Sequence, residues 1–235
     1  MAVGKKSSKA PKRTMGQQGS SMRWAVVVAV VLAGLLVGAQ WWNHQQTVNV
    51  IQAAAYYDQF PTEGTRIGSP DAPVLVEEYF DFQCPHCQTA SQVVVKRLLD
   101  EYVAEGKVAF MYRFFPILGP ESVLAARAGY CAVEMDAFWP YQELLFAKRG
   151  LNNNGTYSRD NLIEYAGLLG LNTAEFASCL DSDRSLQYVQ QQALQAARMG
   201  LNFTPAFFVN GQLVRIVDWE DVIDAVDRAL AAAGR

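Results

Sequence analysis

Hydrophobic and polar positions change rhythm twice along this chain. From Trp24 to Trp42, 19 residues pass without a charge or a polar face, the pattern of a helix in apolar surroundings rather than one lying on a core. At ~1.5 Å per residue the run reaches about 28 Å, close to the ~30 Å hydrocarbon core of a bilayer. Residues 43–61 are polar, and Pro61, Gly64, Gly68 and Pro70 follow as turn formers. This stretch reads as a linker with a short helix near Val50–Gln59.

Beyond it the rhythm is that of a folded domain. Val74–Phe82 is a short apolar run between Pro73 and Cys84-Pro85, a buried strand. From Pro85 to about Glu105 the period turns helical, with Val94, Leu98 and Tyr102 four apart and Gly106 as the stop. Val108–Phe115, ended by Pro116, is a second strand. Residues 119–199 are mostly helical: Glu121–Val133, Phe138–Lys148, a break at Asn152–Gly155, two helices capped by Ser158 and Thr173, and Asp183–Met199 closing at Gly200. Ala206–Val209, the turn Asn210-Gly211 and Leu213–Val217 predict a hairpin, and Asp218–Ala233 a last helix. The order describes an α/β (α+β) domain, a small mixed sheet with a helical subdomain spliced between its halves. Phe138, Trp139, Tyr141 and Phe146 fit the core of that insert better than a substrate platform.

A chain 51% hydrophobic and 18% charged is not a disordered one. Its net charge of −3 hides an asymmetry. Residues 1–23 hold Lys5, Lys6, Lys9, Lys12, Arg13 and Arg23 and no acid, which leaves the rest of the chain at −9. So acidic a domain is no nucleic-acid binder. The positive charges precede the apolar run, which predicts a cytoplasmic tail (1–23), a single-pass signal-anchor (24–42) with interfacial tryptophans, and an extracytoplasmic domain at the cell membrane. The rival reading is a cleaved signal peptide ending at Val37-Gly38-Ala39 and a secreted domain. Either way the domain is exported.

The strongest chemical signal is Cys84-Pro85-His86-Cys87, opening a helix straight after a buried strand. Two cysteines at this spacing meet across the first turn. The first faces the free N–H groups and positive end of the helix, which favour a thiolate. Pro85 suits an early helical position, where its missing N–H has no partner. His86 can donate a hydrogen bond, or a charge, to Cys84. Stabilising the reduced, ionised form makes the disulfide a stronger oxidant. Structural zinc lacks a second ligand pair, and Gln88 stands where covalent haem attachment needs histidine; an inert disulfide is the remaining alternative.

With Gly68-Ser69-Pro70-Asp71-Ala72-Pro73-Val74, Glu78-Tyr79-Phe80-Asp81-Phe82-Gln83 before the cysteines, and Phe203-Thr204-Pro205-Ala206-Phe207-Phe208-Val209-Asn210-Gly211, the chain resembles the thioredoxin-like disulfide oxidoreductases of the DsbA family, in particular the membrane-anchored BdbD-type branch. The resemblance covers roughly 62–233. It implies a thioredoxin fold with a helical insertion: first part 62–118, insert 119–200, second part 201–235. It also implies that Thr204-Pro205 is a cis-proline segment holding extended substrate beside the cysteines. Glu78 matches the family's buried acid, which relays the proton of Cys87, with Glu77 as its next-door competitor. Some relatives pair this acid with a lysine, and no position here is assigned to one. In an oxidising compartment Cys131 and Cys179 are expected to pair as a structural bridge; separate buried thiols and a second redox pair are the alternatives.

The expected activity is oxidation of exported proteins with free thiols. A quinone-linked membrane oxidase of the DsbB or VKOR type is the implied partner, and no metal or organic cofactor is indicated. A reductase or isomerase of the same fold, and a non-enzymatic module that binds extended chains, are the rival functions.

Overall fold

In the computed structural model, which describes residues 18–234, the two long apolar runs lie side by side at the centre of a six-stranded mixed sheet. The strands are β1 (Thr62–Glu63), β2 (Arg66–Ile67), β3 (Val74–Phe80), β4 (Val108–Phe114), β5 (Ala206–Val209) and β6 (Gln212–Leu213), in the order β1-β2-β4-β3-β5-β6. Only β3 and β4 run parallel, with Val74 opposite Val108 and Phe80 opposite Phe114. Val76, Phe80, Phe110, Tyr112 and Phe114 enter one apolar cluster, whereas Tyr79, Ala206 and Phe208 enter another with Ala196 and Leu201. Both faces of the central strands are therefore covered, which is why their sequences read as nearly continuous apolar runs.

The helices are α1 (Gln18–Tyr57), α2 (residues 85–103), α3 (Pro120–Glu134), α4 (Phe138–Lys148), α5 (Arg159–Leu168), α6 (Thr173–Leu180), α7 (Asp183–Arg198) and α8 (Glu220–Ala233). Within α2 the α-helical hydrogen bonding widens twice to π turns, at Ser91–Val95 and Leu99–Val103. From α3 to α7 the chain forms the helical insert between β4 and β5. Phe138, Trp139, Tyr141 and Phe146 are buried there, and Cys131 of α3 is bonded to Cys179 of α6 (S–S 2.06 Å).

Several local expectations change. Residues 62–67, read as turn-rich, form the β1–β2 hairpin on the sheet edge beside β4. Residues 43–57, read as linker, belong to α1. Thr173 is the first helical residue and Asn172 the cap, its Oδ1 accepting from Ala174 N and Glu175 N at 3.1 and 3.3 Å. Ser158 occupies a cap position without making the side-chain bond. The partner of β5 stops at Leu213 instead of Val217, with one further bond from Val214 N to Phe207 O. Asn210-Gly211 does make the tight turn, both residues having positive φ.

The chain divides into two units, Met1–Val48 and Asn49–Arg235. In the first, the described residues are helical, and Trp24, Leu35, Leu36 and Trp41 are exposed. Lys5, Lys6, Lys9, Lys12 and Arg13 of the expected tail lie outside the described residues. Among the described residues no helix is long and apolar enough to cross a membrane, so the structure does not establish the expected span.

Candidate redox site

The turn that delivers Cys84 to the start of α2 is held by side chains to which the local sequence pattern assigns no role. Asp81 is buried, and its Oδ1 accepts from Gln83 N at 2.8 Å. Its Oδ2 accepts from Ile117 N and Leu118 N at 2.8 and 2.9 Å, tying this turn to the one after β4. Burial still pushes the Asp81 pKa up against those bonds. The insert grips the same turn. Gln83 Nε2 donates to Ser122 Oγ at 2.8 Å, and Asn153 N donates to Gln83 Oε1. Arg149 Nε donates to Gln88 Oε1 at 2.8 Å, and Gln88 Nε2 to Phe146 O at 2.7 Å. A polar Asp-x-Gln directly before a cysteine pair was the available signal for the first two. Nothing in the sequence points to Arg149 or Asn153, which lie more than 60 residues downstream.

Cys84 caps α2 in extended geometry, with Pro85 at the first helical position and Gln88 N donating to Cys84 O at 3.1 Å. Cys84 and Cys87 are both free thiols and both buried. Cys84 is only 4% exposed. Its Sγ nevertheless lies 3.4 Å from the carbonyl oxygen of Thr204, to which the thiol form donates. The Thr204–Pro205 peptide bond is cis. Pro205, His86, Phe203, Val214, Ile216 and Trp219 line a groove of about 370 Å³ alongside.

The two sulfurs are electrostatically unequal. A bond from the Cys87 thiol, opposed by burial and aided by Thr204 and the N–H groups of Cys87 and His86, lowers the Cys84 pKa to about 6. Cys87 moves the other way. Burial raises its pKa well above the usual thiol range, reinforced by its bond to Cys84 and by the charge of Glu78. The proton of the pair therefore sits on Cys87 and the charge on Cys84. The bond expected from the His86 imidazole is not among those made to Cys84. His86 acts through its backbone N–H, and its side chain is exposed on the groove.

Glu78 is fully buried on β3, and neither carboxylate oxygen has a hydrogen-bond partner among the described residues. Burial holds its pKa well above the ordinary carboxylate range; the charge of Cys84 adds to this and the Cys87 thiol opposes it. Glu77, the competitor, points to the other face and pairs with Arg113 at 2.7 Å. No lysine is among the groups that shift Glu78. Among the described residues there is also no cluster of His, Cys, Asp and Glu able to hold a metal.

Residues 61–228 match the thioredoxin family. The chain is similar to the probable disulfide bond formation protein D of Bacillus anthracis, 29% identical over 168 residues that cover 70% of this chain and 77% of that protein. Of solved structures, it is similar to a thioredoxin-like oxidoreductase from Silicibacter pomeroyi. There the identity is 30% and the TM-score 0.59, over 75% of this chain and 95% of that one. The fold is also that of oxidised BdbD from Bacillus subtilis (TM-score 0.67, 22% identity, 73% of this chain and 96% of that one).

Proposed function

The chain belongs to the thioredoxin family, as a disulfide oxidoreductase of the DsbA type, and from that premise we propose that it oxidises exported proteins through the Cys84/Cys87 couple. The observation that carries this reading is the inequality of the two sulfurs. A Cys84 thiolate favoured at neutral pH makes the reduced couple the comfortable state, so the oxidised couple passes its disulfide on. Stabilisation of the reduced form is also what makes DsbA itself a strong oxidant.

A substrate thiolate attacks the Cys84 sulfur of the Cys84–Cys87 disulfide. A bond forms from substrate to Cys84, and Cys87 leaves as a thiolate. Glu78, protonated because it is buried, supplies the proton that makes Cys87 a thiol. A second substrate thiolate then attacks the substrate sulfur of the mixed disulfide and releases Cys84 as a thiolate. The substrate has lost two electrons, which now reside in the couple. Thr204-Pro205 and the groove beside them hold the substrate in extended form against Cys84. Pro85 sets the helix start, and His86 contributes its N–H.

The anchor belongs to the same proposal. Trp24–Trp42, with exposed valines and leucines, holds the domain outside the membrane, where a quinone-linked oxidase of the DsbB or VKOR type reoxidises the couple. Signal cleavage and secretion is the alternative for this segment. The deciding measurement is the reduction potential of the Cys84/Cys87 couple in the full-length protein. A potential well above thioredoxin's about −270 mV is expected, and a value at or below it overturns the oxidase reading in favour of a reductase. Cys84→Ala abolishes thiol oxidation on this reading, whereas a module that only binds chains keeps its function.

A further inference from the structure

The groove beside Cys84 and Pro205 continues into a second space. Leu213, Val214 and Arg215 line both the groove and a larger cleft of about 700 Å³, which lies between the β5–β6 hairpin and α8. Val214 N donates to Phe207 O at 2.8 Å. That bond sets Val214 one strand spacing, ~4.8 Å, from a residue just beyond Pro205, with Arg215 next along the chain. On the far side of the cleft Ala225, Ala229 and Ala232 share one face of α8, and Arg228 stands on the same face. A chain lying in the groove therefore meets apolar surface first, where Phe203 and Leu213 are half-exposed, and a guanidinium next.

The two arginines are set apart by what they do not hold. Arg97, Arg113, Arg159 and Arg184 each grip a carboxylate. Among the described residues, Arg215 and Arg228 close no ion pair and make no hydrogen bond. Asp221 is the one acid among the described residues that line either space, and its carboxylate is already engaged. Its Oδ2 accepts from Val217 N and Asp218 N at 2.7 and 2.8 Å. Those N–H groups hold its pKa low, and the charge of Arg228 contributes least. Asp224, one turn before Arg228, does not line the cleft and closes no ion pair with it. The cleft is thus a cationic spot on a chain that carries −9 over residues 24–235.

We propose that Arg215, backed by Arg228, forms a carboxylate subsite that sorts substrates. Chains with an aspartate or glutamate a few residues from the reacting cysteine, and an apolar residue for the groove between, are oxidised in preference to neutral or basic ones. This rests on the reading that substrate lies in the groove against Cys84. The exchange of sulfurs is unchanged; Arg215 holds the chain and touches neither cysteine. A guanidinium presents a planar fork of donors that matches a carboxylate. The rest of the domain repels acidic chains, so the pair of arginines gives them one landing place, and that place adjoins the reacting sulfur. Because both arginines are exposed, the discrimination is modest in size and sensitive to salt.

The test follows oxidation of three unstructured peptides by the full-length oxidised protein in an uncharged detergent. The peptides share one cysteine with a neighbouring leucine and differ in carrying Glu, Gln or Lys at one site. That site is moved through about two to five positions on either side of the cysteine, at ~3.4 Å each. The readout is the ratio of second-order rates within one protein, from which a uniform loss of active molecules cancels. At the best position the parent should oxidise the Glu peptide about 2- to 5-fold faster than the Gln peptide, the range of an exposed ion pair. The advantage should shrink as ionic strength rises from ~0.05 to ~0.5 M. Arg215→Gln should remove most of it and Arg228→Gln part of it, and Arg215→Glu should turn the preference toward the Lys peptide. Equal rates for the three peptides at every position overturn the subsite and leave the oxidase reading standing, even if calorimetry finds inorganic phosphate bound by the arginines. A Glu preference that survives in the R215Q/R228Q double variant overturns it as well. If the parent oxidises none of the peptides, the oxidase reading fails, and the subsite with it.

Discussion

Cys84 and Cys87 are chemically identical and three positions apart, yet their surroundings move their protons in opposite directions. The consequence for Cys84 is direct: thiolate absorbance and alkylation rate in the reduced protein should both titrate with a midpoint of about pH 6. A midpoint near the ordinary thiol value of about 8.5 contradicts the site as described. The linked stability follows in sign. A thiol whose pKa is depressed on folding stabilises the reduced protein fully above the unfolded thiol pKa of about 8.5, and that contribution disappears as pH falls through about 6. Denaturant titrations of reduced protein across this window check it. Glu78 behaves in the opposite sense. Its pKa is raised by burial, so it is protonated when folded and ionised when unfolded, and it destabilises the protein increasingly as pH rises above about 4.3. Glu78→Gln should therefore be more stable than the parent, by a margin that grows from about pH 5 to about pH 7; a margin independent of pH removes the argument.

At the scale of elements, the insert is stapled internally and closely fitted to the sheet. Removing both sulfurs of the Cys131–Cys179 bridge, which closes a 48-residue loop, should cost about 4 kcal/mol by loop-closure entropy, measured as the shift in chemical denaturation of the Cys131→Ser/Cys179→Ser protein. Gly129 lies mid-helix in α3, where alanine is ordinarily better by about 1 kcal/mol. A Cβ there would meet the Phe114 ring at 2.9 Å and Phe82 at 3.1 Å. Gly129→Ala should thus destabilise by about 1–3 kcal/mol against its helix propensity, and a rise in melting temperature would refute the close approach. These elements differ in how far the sequence disclosed them. Apolar runs and Gly or Pro stops revealed β3, β4, β5 and most of the helices, and the cysteine spacing with Thr204-Pro205 revealed the reacting couple. The β1–β2 hairpin stayed hidden because its two-residue strands are too short for any period, and their pairing is supplied by β4. Arg149 and Asn153 stayed hidden for another reason: their roles come from contacts between the insert and the turn before α2, which no local spacing encodes.

The molecule as a whole joins a chemically complete domain to a segment of different character. The second unit, Asn49–Arg235, contains the full sheet, the insert and every group that shifts the two sulfurs. Deleting residues 1–48 should leave the potential of the couple and the unfolding midpoint unchanged, while moving the protein from the membrane fraction to the soluble one. A changed potential would tie the first unit to the chemistry, and an unchanged fractionation would dispose of the anchor. What the sequence offers at this scale is an expectation from charge, six basic residues ahead of an apolar run, and the fractionation experiment tests it.

The bridge between α3 and α6 has a consequence for how this protein comes into being. Both of its sulfurs are buried once the insert has packed, so the bond has to be installed while the chain is still open. A newborn copy thus needs the very service that a finished copy provides. On that account the first molecules would need some other oxidant, and each later generation could be matured by the one before it.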